Sequence, residues 1–386
     1  MFAAACGTEA VQNDDAGELS RDAGRDTSPL PDASTTCSGK THACKGVCVE
    51  DTSIATCGSS CVPCVAPLEA DATCNGTVCG FQCHAGYVPR GNECVVPAPA
   101  KPELTLFGGS HTNGTLFSDT WTYDGSSWTQ KQVTGPSPRT QAGVAALSGK
   151  VFLFGGGGPP INAPKALGDT WEWDGLRWRE HVVQGPAPRR GPIMATLAGK
   201  VVLFGGADLD STTPKYFDDT WEWDGNAWTQ RAVTGPSARG FSAVSVLSGK
   251  MVIFSGLGPG VQGDTWEWDG NVWTQRTTVT APSQRSMAAM GSLAGKLFLL
   301  GGINGGGSSD ETWGWDGASW STQGAKNGIF ARHAMAPLGG KLIVFGGDRP
   351  LGISGETWEW DGSTWLEKKI AGPAAREWPV LVQRLP

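Results

Sequence analysis

One tryptophan-rich phrase recurs along the chain and limits what it can fold into more than any other feature. In its fullest form the phrase reads Thr170-Trp171-Glu172-Trp173-Asp174-Gly175, and another tryptophan follows three residues later. Six copies are present, and their first tryptophans stand at positions 121, 171, 221, 266, 313 and 358. A fixed period of about 50 residues indicates a repeat architecture, in which each copy contributes one supersecondary unit.

Each repeat predicts four β-strands. Trp171 and Trp173 alternate with polar residues, as in a strand with one buried face, and the Asp-Gly dipeptide behind them predicts a tight hairpin. An apolar strand that ends in two glycines, such as 151–156, precedes the phrase. A Ser-Gly-Lys or Ala-Gly-Lys turn and a strand of small apolar residues, such as 142–147, come before that. A four-stranded antiparallel unit repeated radially is a propeller blade.

The diglycine, the Trp-x-aromatic-Asp phrase and the downstream tryptophan together resemble the kelch repeat, over residues 104–386. Two copies depart from the pattern: Phe254-Ser255-Gly256 replaces the diglycine of the fourth, and Tyr123 replaces the second tryptophan of the first. The resemblance implies an all-β propeller of four-stranded antiparallel blades. It also implies recognition on the face that carries the long, variable loops.

The two ends of the repeat region complement each other. The first repeat opens at about position 104 with its diglycine strand and lacks an innermost strand, whereas residues 376–382 match the start of one. We therefore expect the C-terminal strand to pair beside residues 104–107 and close a ring of six blades, because closure removes exposed sheet edges. Trp378, Val380 and Val382 alternate with their neighbours, so we expect all three to share a buried face.

The repeated tryptophans are predicted to pack the blades together. All 18 tryptophans of the chain lie in residues 104–386. Their equivalent places in every repeat favour blade-to-blade packing over the alternative, stacking against bound sugar rings. Trp378 lies outside the repeated pattern, and its role stays open.

Residues 37–94 form a predicted cysteine-rich module. Its ten cysteines are Cys37, Cys44, Cys48, Cys57, Cys61, Cys64, Cys74, Cys79, Cys83 and Cys94. The segment has few large aliphatic residues, so we expect disulfides of unknown pairing to stabilise it in an oxidising, extracytoplasmic compartment. A zinc site that combines Cys61 and Cys64 with His42 or His84 is the alternative.

The remaining segments connect the predicted domains. The stretch from Cys83 to Cys94 resembles the end of an EGF-type module, and residues 95–103 predict a stiff, proline-rich linker. Residues 1–36 lack apolar periodicity, and from position 7 onward they hold seven acidic against two basic residues. We expect a disordered tether there, because such a composition buries too little apolar surface to order the chain.

Cys6 is predicted to be a lipid attachment site. The sequence Ala3-Ala4-Ala5-Cys6 resembles the end of a bacterial lipoprotein signal whose charged and apolar regions are truncated. Cys6 is also the one cysteine outside residues 37–94. We therefore expect a protein of the bacterial cell envelope, or a secreted one, that meets the membrane only through this anchor. A chance Ala-Cys pair is the alternative.

One arginine marks the entry to each innermost strand, and one acid begins each third strand. The arginines are Arg139, Arg189, Arg239, Arg285, Arg332 and Arg376. The acids are Asp119, Asp169, Asp219, Asp264, Glu311 and Glu356. Six guanidinium groups around a channel could capture an anion by bidentate hydrogen bonds. Equal numbers of arginines and acids favour the alternative, a self-satisfied pair within each blade.

Other candidate binding residues lie in the long loops, which tolerate variation on a rigid scaffold. They are His111, Lys165, Lys215, Tyr216 and Arg349. Asp208, Asp210 and Thr212 could hold calcium, but acids in a polar loop are usually only solvated, so we expect no metal site.

Composition argues against several functions. Residues 104–386 carry 24 acidic and 24 basic side chains, so they lack the basic footprint of a nucleic-acid binder. The kelch resemblance also raises galactose oxidase, whose copper-radical chemistry needs a Tyr–Cys cross-link with tyrosine and histidine ligands. The same residues hold no cysteine, two tyrosines and three histidines, so we expect neither that cofactor nor catalysis.

The sequence therefore predicts a monomeric, envelope-anchored binding or scaffolding protein that recognises a protein or carbohydrate partner through its loop face. Two alternatives remain open. One is a glycan-active hydrolytic enzyme that uses loop-face acids and arginines, and the other is a structural surface protein without a ligand.

Overall fold

The computed structural model describes residues 37–385 apart from positions 45, 46, 100, 161, 306, 327, 329, 330 and 351. The tether predicted for residues 1–36 and the lipid site predicted at Cys6 lie outside the described residues. The chain divides into two compact units, Met1–Val95 and Val96–Pro386. Within the described residues every regular element is a strand, and none forms a helix able to cross a membrane.

Five disulfides and three small antiparallel sheets build the described part of the first unit. The sheets pair Thr41–Cys44 with Val47–Glu50, Ala70–Cys74 with Cys79–Cys83, and Val88–Arg90 with Glu93–Val95. The bridges join Cys37 with Cys48, Cys44 with Cys61, Cys57 with Cys74, Cys64 with Cys79, and Cys83 with Cys94. The predicted disulfide module is confirmed, and both sulfurs of the alternative zinc motif belong to bridges. Such a module indicates an oxidising compartment.

The second unit is a propeller of six blades, each with four antiparallel strands. From blade 1 to blade 6, the innermost strands are Val380–Arg384, Gly143–Leu147, Ile193–Leu197, Ala243–Leu247, Ala289–Leu293 and Ala334–Leu338. The second strands are Glu103–Phe107, Lys150–Gly158, Lys200–Asp208, Lys250–Leu257, Lys296–Leu300 and Lys341–Phe345. The third strands are Thr120–Tyr123, Lys165–Trp173, Lys215–Trp223, Val261–Trp268, Glu311–Trp315 and Thr357–Trp360. The outermost strands are Trp128–Lys131, Trp178–His181, Trp228–Arg231, Trp273–Arg276, Trp320–Lys326 and Trp365–Lys368.

Three loops between second and third strands carry short hairpins of their own. These pair Ser110–His111 with Thr115–Leu116, Ile303–Asn304 with Gly307–Ser308, and Asp348–Arg349 with Gly352–Ile353. The loops lie at the same end of the blades as the segments that enter the innermost strands, and this end is the loop face.

The turn after each third strand is longer than the tight hairpin predicted from the Asp-Gly dipeptide. Trp173 pairs directly with Trp178, so four residues separate the two strands. Asp174 caps the turn, because its carboxylate accepts two backbone N–H groups within it. Only Gly175 takes a positive φ. An Asp-Gly dipeptide suits either turn, and the capping carboxylate here favours the longer one.

The C-terminal strand completes blade 1, as predicted. Val380–Arg384 pairs antiparallel with Glu103–Phe107, and Arg384 Nη1 lies 3.1 Å from the Glu103 carboxylate. The expectation that Trp378 shares a face with Val380 is wrong. Trp378 precedes the strand with a φ of 57°, and this left-handed residue breaks the alternation.

A ring of six equivalent hydrogen bonds joins neighbouring blades. The tryptophan that begins each outermost strand donates its indole N–H to a threonine on the third strand of the preceding blade, over 2.8 to 3.2 Å. The pairs are Trp128 with Thr357, Trp178 with Thr120, Trp228 with Thr170, Trp273 with Thr220, Trp320 with Thr265, and Trp365 with Thr312. The pair between Trp128 and Thr357 joins blade 1 to blade 6.

A second set of aromatic rings fills the space between blades. Trp173, Trp223, Trp268, Trp315 and Trp360 are fully buried, and Tyr123 takes the same place in blade 1. Trp223, for example, packs on Phe152 of the preceding blade with ring centroids 5.8 Å apart. Its indole N–H donates to no described residue, so apolar burial holds it. These contacts agree with the predicted packing role.

Five of the six repeated arginines are buried inside their own blades. They are Arg139, Arg189, Arg239, Arg285 and Arg376, each at most 1% exposed. Arg139 donates to the two oxygens of Asp169 at 2.6 and 2.7 Å and to the Gly155 carbonyl at 3.1 Å. The backbone carbonyl of Arg189 accepts the N–H of Gly156 from the preceding blade. Anion capture is therefore closed to these five, because their guanidinium groups are already enclosed and paired.

The repeated diglycine is required where two blades meet. Gly155 has a φ of 64°, and a Cβ there would lie 2.7 Å from the Arg189 carbonyl oxygen. Ser255 takes the equivalent place in blade 4, also at a φ of 64°, and its hydroxyl donates to the Arg285 carbonyl. This hydrogen bond explains how the fourth repeat tolerates a departure from the pattern.

We predict that acid destabilises the propeller through the arginine–aspartate pairs. Burial alone would raise the pKa of Asp169, but the hydrogen bonds and charge of Arg139, with the Trp171 indole, hold it below its usual range. A depressed folded-state pKa gives stability that is present above the pKa of an unfolded aspartate, about 3.9, and is lost as the pH falls through the folded value.

Melting temperatures measured by calorimetry should therefore stay level between about pH 7 and pH 5 and fall below about pH 4. The variant Arg139→Met should have a lower melting temperature at neutral pH, and its melting temperature should fall less as the pH drops below about 4. A melting temperature that is unchanged down to about pH 2.5 would contradict this role.

We also predict that deletion of residues 376–386 destabilises the whole ring. The deletion removes the inner strand of blade 1 and the buried side chains of Val380 and Leu381. It should cost several kcal/mol, at about 25 cal/mol per Å² of apolar surface, with one cooperative transition at lower temperature. Thermal melts of intact and shortened protein make the comparison. Loss confined to one blade, or a melt within a degree or two of the intact protein, would sink the prediction.

Candidate binding surface

Each blade places one residue around the central channel on the loop face. These residues form the central mouth, and they are Gln141, Gly191, Phe241, Met287, Arg332 and Trp378. Each stands two residues before its innermost strand. All six have a φ between 57° and 64°, the left-handed region that favours glycine.

Backbone hydrogen bonds link these residues from blade to blade. The N–H groups of Gly191, Phe241, Met287, Arg332 and Trp378 each donate to the carbonyl of the preceding member, over 2.7 to 3.0 Å. This chain of bonds fixes the backbone of the central mouth whichever side chain stands there.

Arg332 belongs to the central mouth and not to the buried arginines, which corrects the sixth predicted pair. Arg139 lies eight residues before Leu147 at the end of its innermost strand, whereas Arg332 lies six residues before Leu338. Its side chain is 34% exposed. Glu356, the acid expected to pair with it, instead lies 2.9 Å from Arg349.

Arg332 bridges two acids at the junction of blades 6 and 1. Its Nη1 atom lies 3.0 Å from Asp348 and 3.1 Å from Glu377. Burial raises the pKa of both carboxyl groups, and the charge of Arg332 offsets only part of this effect. The Ser110 hydroxyl lies 3.5 Å from the other oxygen of Glu377. The loop face therefore holds a compact acid–arginine cluster. The same cluster joins blade 6 to blade 1, where the ring closes.

Aromatic side chains from opposite sides of the ring meet at the central mouth. Phe241 of blade 4 contacts Trp378 of blade 1 edge to face, with ring centroids 5.5 Å apart. Gly191 makes room for this contact, since a Cβ there would lie 2.5 Å from the Phe241 ring. The guanidinium carbon of Arg332 lies 5.8 Å from the centre of the Trp378 ring.

The central mouth contains an open cavity of about 130 Å³. Its other lining residues are Ala142, Pro192, Ser242, Ala288, His333 and Pro379. His333 is 7% exposed, and neither ring nitrogen has a well-aligned hydrogen-bond partner among the described residues. The lining thus combines apolar surface with a few polar groups, as small-ligand sites do.

The loop candidates from the sequence lie around the central mouth but do not line its cavity. Lys165 and Lys215 are exposed at the start of their strands, Tyr216 pairs with Ala207, and His111 lies in the short hairpin of blade 1. Arg349 follows Asp348, which bonds Arg332, and its guanidinium carbon lies 5.2 Å from the Trp358 ring.

The two acids considered for calcium have structural partners. Asp210 Oδ2 accepts the backbone N–H of Ala166 from blade 2 at 2.9 Å, and Asp208 Oδ1 accepts the N–H of Asp210 at 3.0 Å. The first bond joins the loops of blades 2 and 3, and the second holds a turn within the blade 3 loop.

Sequence reasoning missed Gln141, Phe241 and Met287 and left Trp378 open. A repeat search favours positions that keep one residue type, and these positions change type in every blade. The sequence signal for these positions is their variability, because the residue two positions after a repeated arginine differs from blade to blade. Counting from the end of each innermost strand would have found it.

Comparison with known proteins agrees with this architecture. Residues 81–256 match the model of the KLHDC2/KLHL20/DRC7 Kelch-repeats domain. No curated protein matches the chain. Propellers built from kelch repeats typically serve as protein-binding scaffolds and are usually not enzymes. The matched residues are thus similar to kelch repeats, and Val96–Pro386 as a whole is a β-propeller of six four-stranded blades.

Proposed function

We propose that this chain is an envelope-anchored binding protein whose propeller takes a protein or glycan partner at the central mouth. One contrast carries the proposal. Positions that hold the fold repeat the same residue in nearly every blade, as the buried arginines and the Trp–Thr pairs do. The six positions of the central mouth share one backbone conformation but hold six different residues. Variation on one surface of a rigid scaffold is typical of recognition.

The side chains of the central mouth are kept at a conformational cost. Glycine suits a φ near 60°, and other residues cost on the order of 1 kcal/mol each there. Five of the six positions nevertheless hold a larger residue, and Phe241 and Trp378 are among the bulkiest. The stability of the chain of backbone hydrogen bonds does not account for these side chains, whereas a role in binding does.

The proposed anchor is a lipid on Cys6, which residues 7–36 would join to the folded units. The five disulfides support an extracytoplasmic location, since they persist in an oxidising compartment. Mass spectrometry of the protein from cells should find a diacylglyceryl group on Cys6. An unmodified Cys6 would contradict the anchor and leave the role of the propeller untouched.

Site-specific photocrosslinking tests the binding face. A photoreactive phenylalanine analogue at Thr212, in an exposed loop of blade 3, should capture the partner in cells. The matched control places the same analogue at Asn226, exposed in the turn at the opposite end of the same blade, and should capture nothing specific. Equal capture at both positions, or capture at Asn226 alone, would argue against a loop-face site.

A glycan-active enzyme is the second candidate, because Asp348 and Glu377 bring two carboxyl groups together at the loop face. Glycosidases use such a pair as acid and base, with environments that drive the two pKa values apart. Here burial raises the pKa of both, and both bind the same Arg332 atom, which favours the binding role. Release of shorter products from a bound glycan would favour the enzyme, and retention without turnover the binder.

A further inference from the structure

The central mouth presents an arginine whose charge is already balanced. Arg332 Nη1 lies within 3.1 Å of both Asp348 and Glu377, so two carboxyl groups surround one guanidinium. An anionic ligand would have to compete with two acids that belong to the fold, and like charges disfavour each other at such distances. The central mouth therefore disfavours carboxylates and phosphates.

A cationic ligand is disfavoured for a different reason. Arg332 lines the cavity, whereas neither Asp348 nor Glu377 is among the described residues that do. The guanidinium carbon of Arg332 lies 5.8 Å from the centre of the Trp378 ring, so a cation already faces that ring. A second positive group would meet Arg332 before it reached either acid. An uncharged ligand satisfies both constraints.

Several polar atoms of the central mouth have no hydrogen-bond partner within the described part of the chain, and an uncharged ligand can supply one. Gln141 Oε1, Arg332 Nε and both ring nitrogens of His333 are buried without a well-aligned partner among the described residues. Burial lowers the pKa of His333 to about 4, and the nearby Ala331 carbonyl offsets only part of this. His333 is therefore neutral near pH 7 and can donate from one nitrogen and accept at the other. Hydroxyl groups of a ligand, directly or through a bound water, suit this set once a change of rotamer turns these buried atoms toward the cavity.

The rest of the lining is apolar apart from Ser242. Half-buried Trp378 meets Phe241, and Met287 and Pro192 extend the same surface. The cavity of about 130 Å³ holds roughly four waters at their liquid share of ~30 Å³ each, and it is close to the ~150 Å³ that admits a six-membered benzene ring. A sugar combines hydroxyl groups with apolar C–H faces that stack on an indole.

We infer that the central mouth binds an uncharged sugar residue of a glycan, stacked on Trp378, with its hydroxyl groups bonded to Arg332 and Gln141. This inference rests on the proposed function and narrows its partner from a protein or a glycan to a neutral glycan. The repeated tryptophans keep their packing contacts within and between the blades, and Trp378 alone stacks on the sugar.

A glycan array with the purified full chain, followed by calorimetric titration of the hits, tests the inference. Glycans that end in neutral hexoses or N-acetylhexosamines should bind, and glycans that end in sialic or uronic acid should not. Trp378→Ala should weaken binding about tenfold. Gln141→Leu keeps the aromatic ring and covers the case in which Trp378→Ala fails to fold, and it should weaken binding several-fold. Leu366→Ala, exposed on an outermost strand, should change nothing.

Binding limited to acidic glycans, or equal binding by both central-mouth variants, would overturn the inference. Absence of glycan binding would also overturn it, and the photocrosslinker at Thr212 then decides the wider proposal. Capture of a protein there that is lost in Trp378→Ala would make the partner a protein. If the chain binds no glycan and the photocrosslinker at Thr212 captures no partner, the inference and the proposed function are both contradicted.

Discussion

The hydrogen bond from an outer-strand indole to a threonine of the neighbouring blade is the contact on which the rest of the propeller depends. It recurs at every junction, and the bond from Trp128 to Thr357 closes the circle. A buried N–H without an acceptor costs about 1–3 kcal/mol, so each bond favours one orientation between two blades. Glycine admits the indole: a Cβ on Gly135 would lie 2.5 Å from the Trp178 ring.

This scaffold separates residues that hold the fold from residues that are free to serve a ligand. Arg139 and Gln141 are two positions apart, yet Arg139 is enclosed with Asp169 while Gln141 lines an open cavity. Each buried arginine fixes the strand entry through its side chain and the junction with the preceding blade through its backbone carbonyl. The backbone chain around the central mouth then leaves the side chains there free to differ.

The sequence predicts most of the architecture, because repetition reports positions whose chemistry every blade needs. The blades, the closing strand and the cysteine set follow from it. The disulfide pairing does not, since spacing alone leaves many connectivities for ten cysteines. Arg332 resembles the other five arginines only in its approximate place in the repeat. The proline that stands three residues before each of the others is absent there. The left-handed conformation of the central mouth cannot be predicted from the sequence, because five of its six residues are not glycine.

The most direct test of this separation is a pair of melting curves, for Arg139→Ala and Gln141→Gly. The first change leaves Asp169 without its cation and should cost about 3 kcal/mol, or roughly 6–10 °C. The second relieves a left-handed residue and should leave the melting temperature within about 2 °C of the parent or raise it slightly. A loss for Gln141→Gly as large as that for Arg139→Ala would show that the central mouth is part of the fold, and would contradict its assignment as a binding surface.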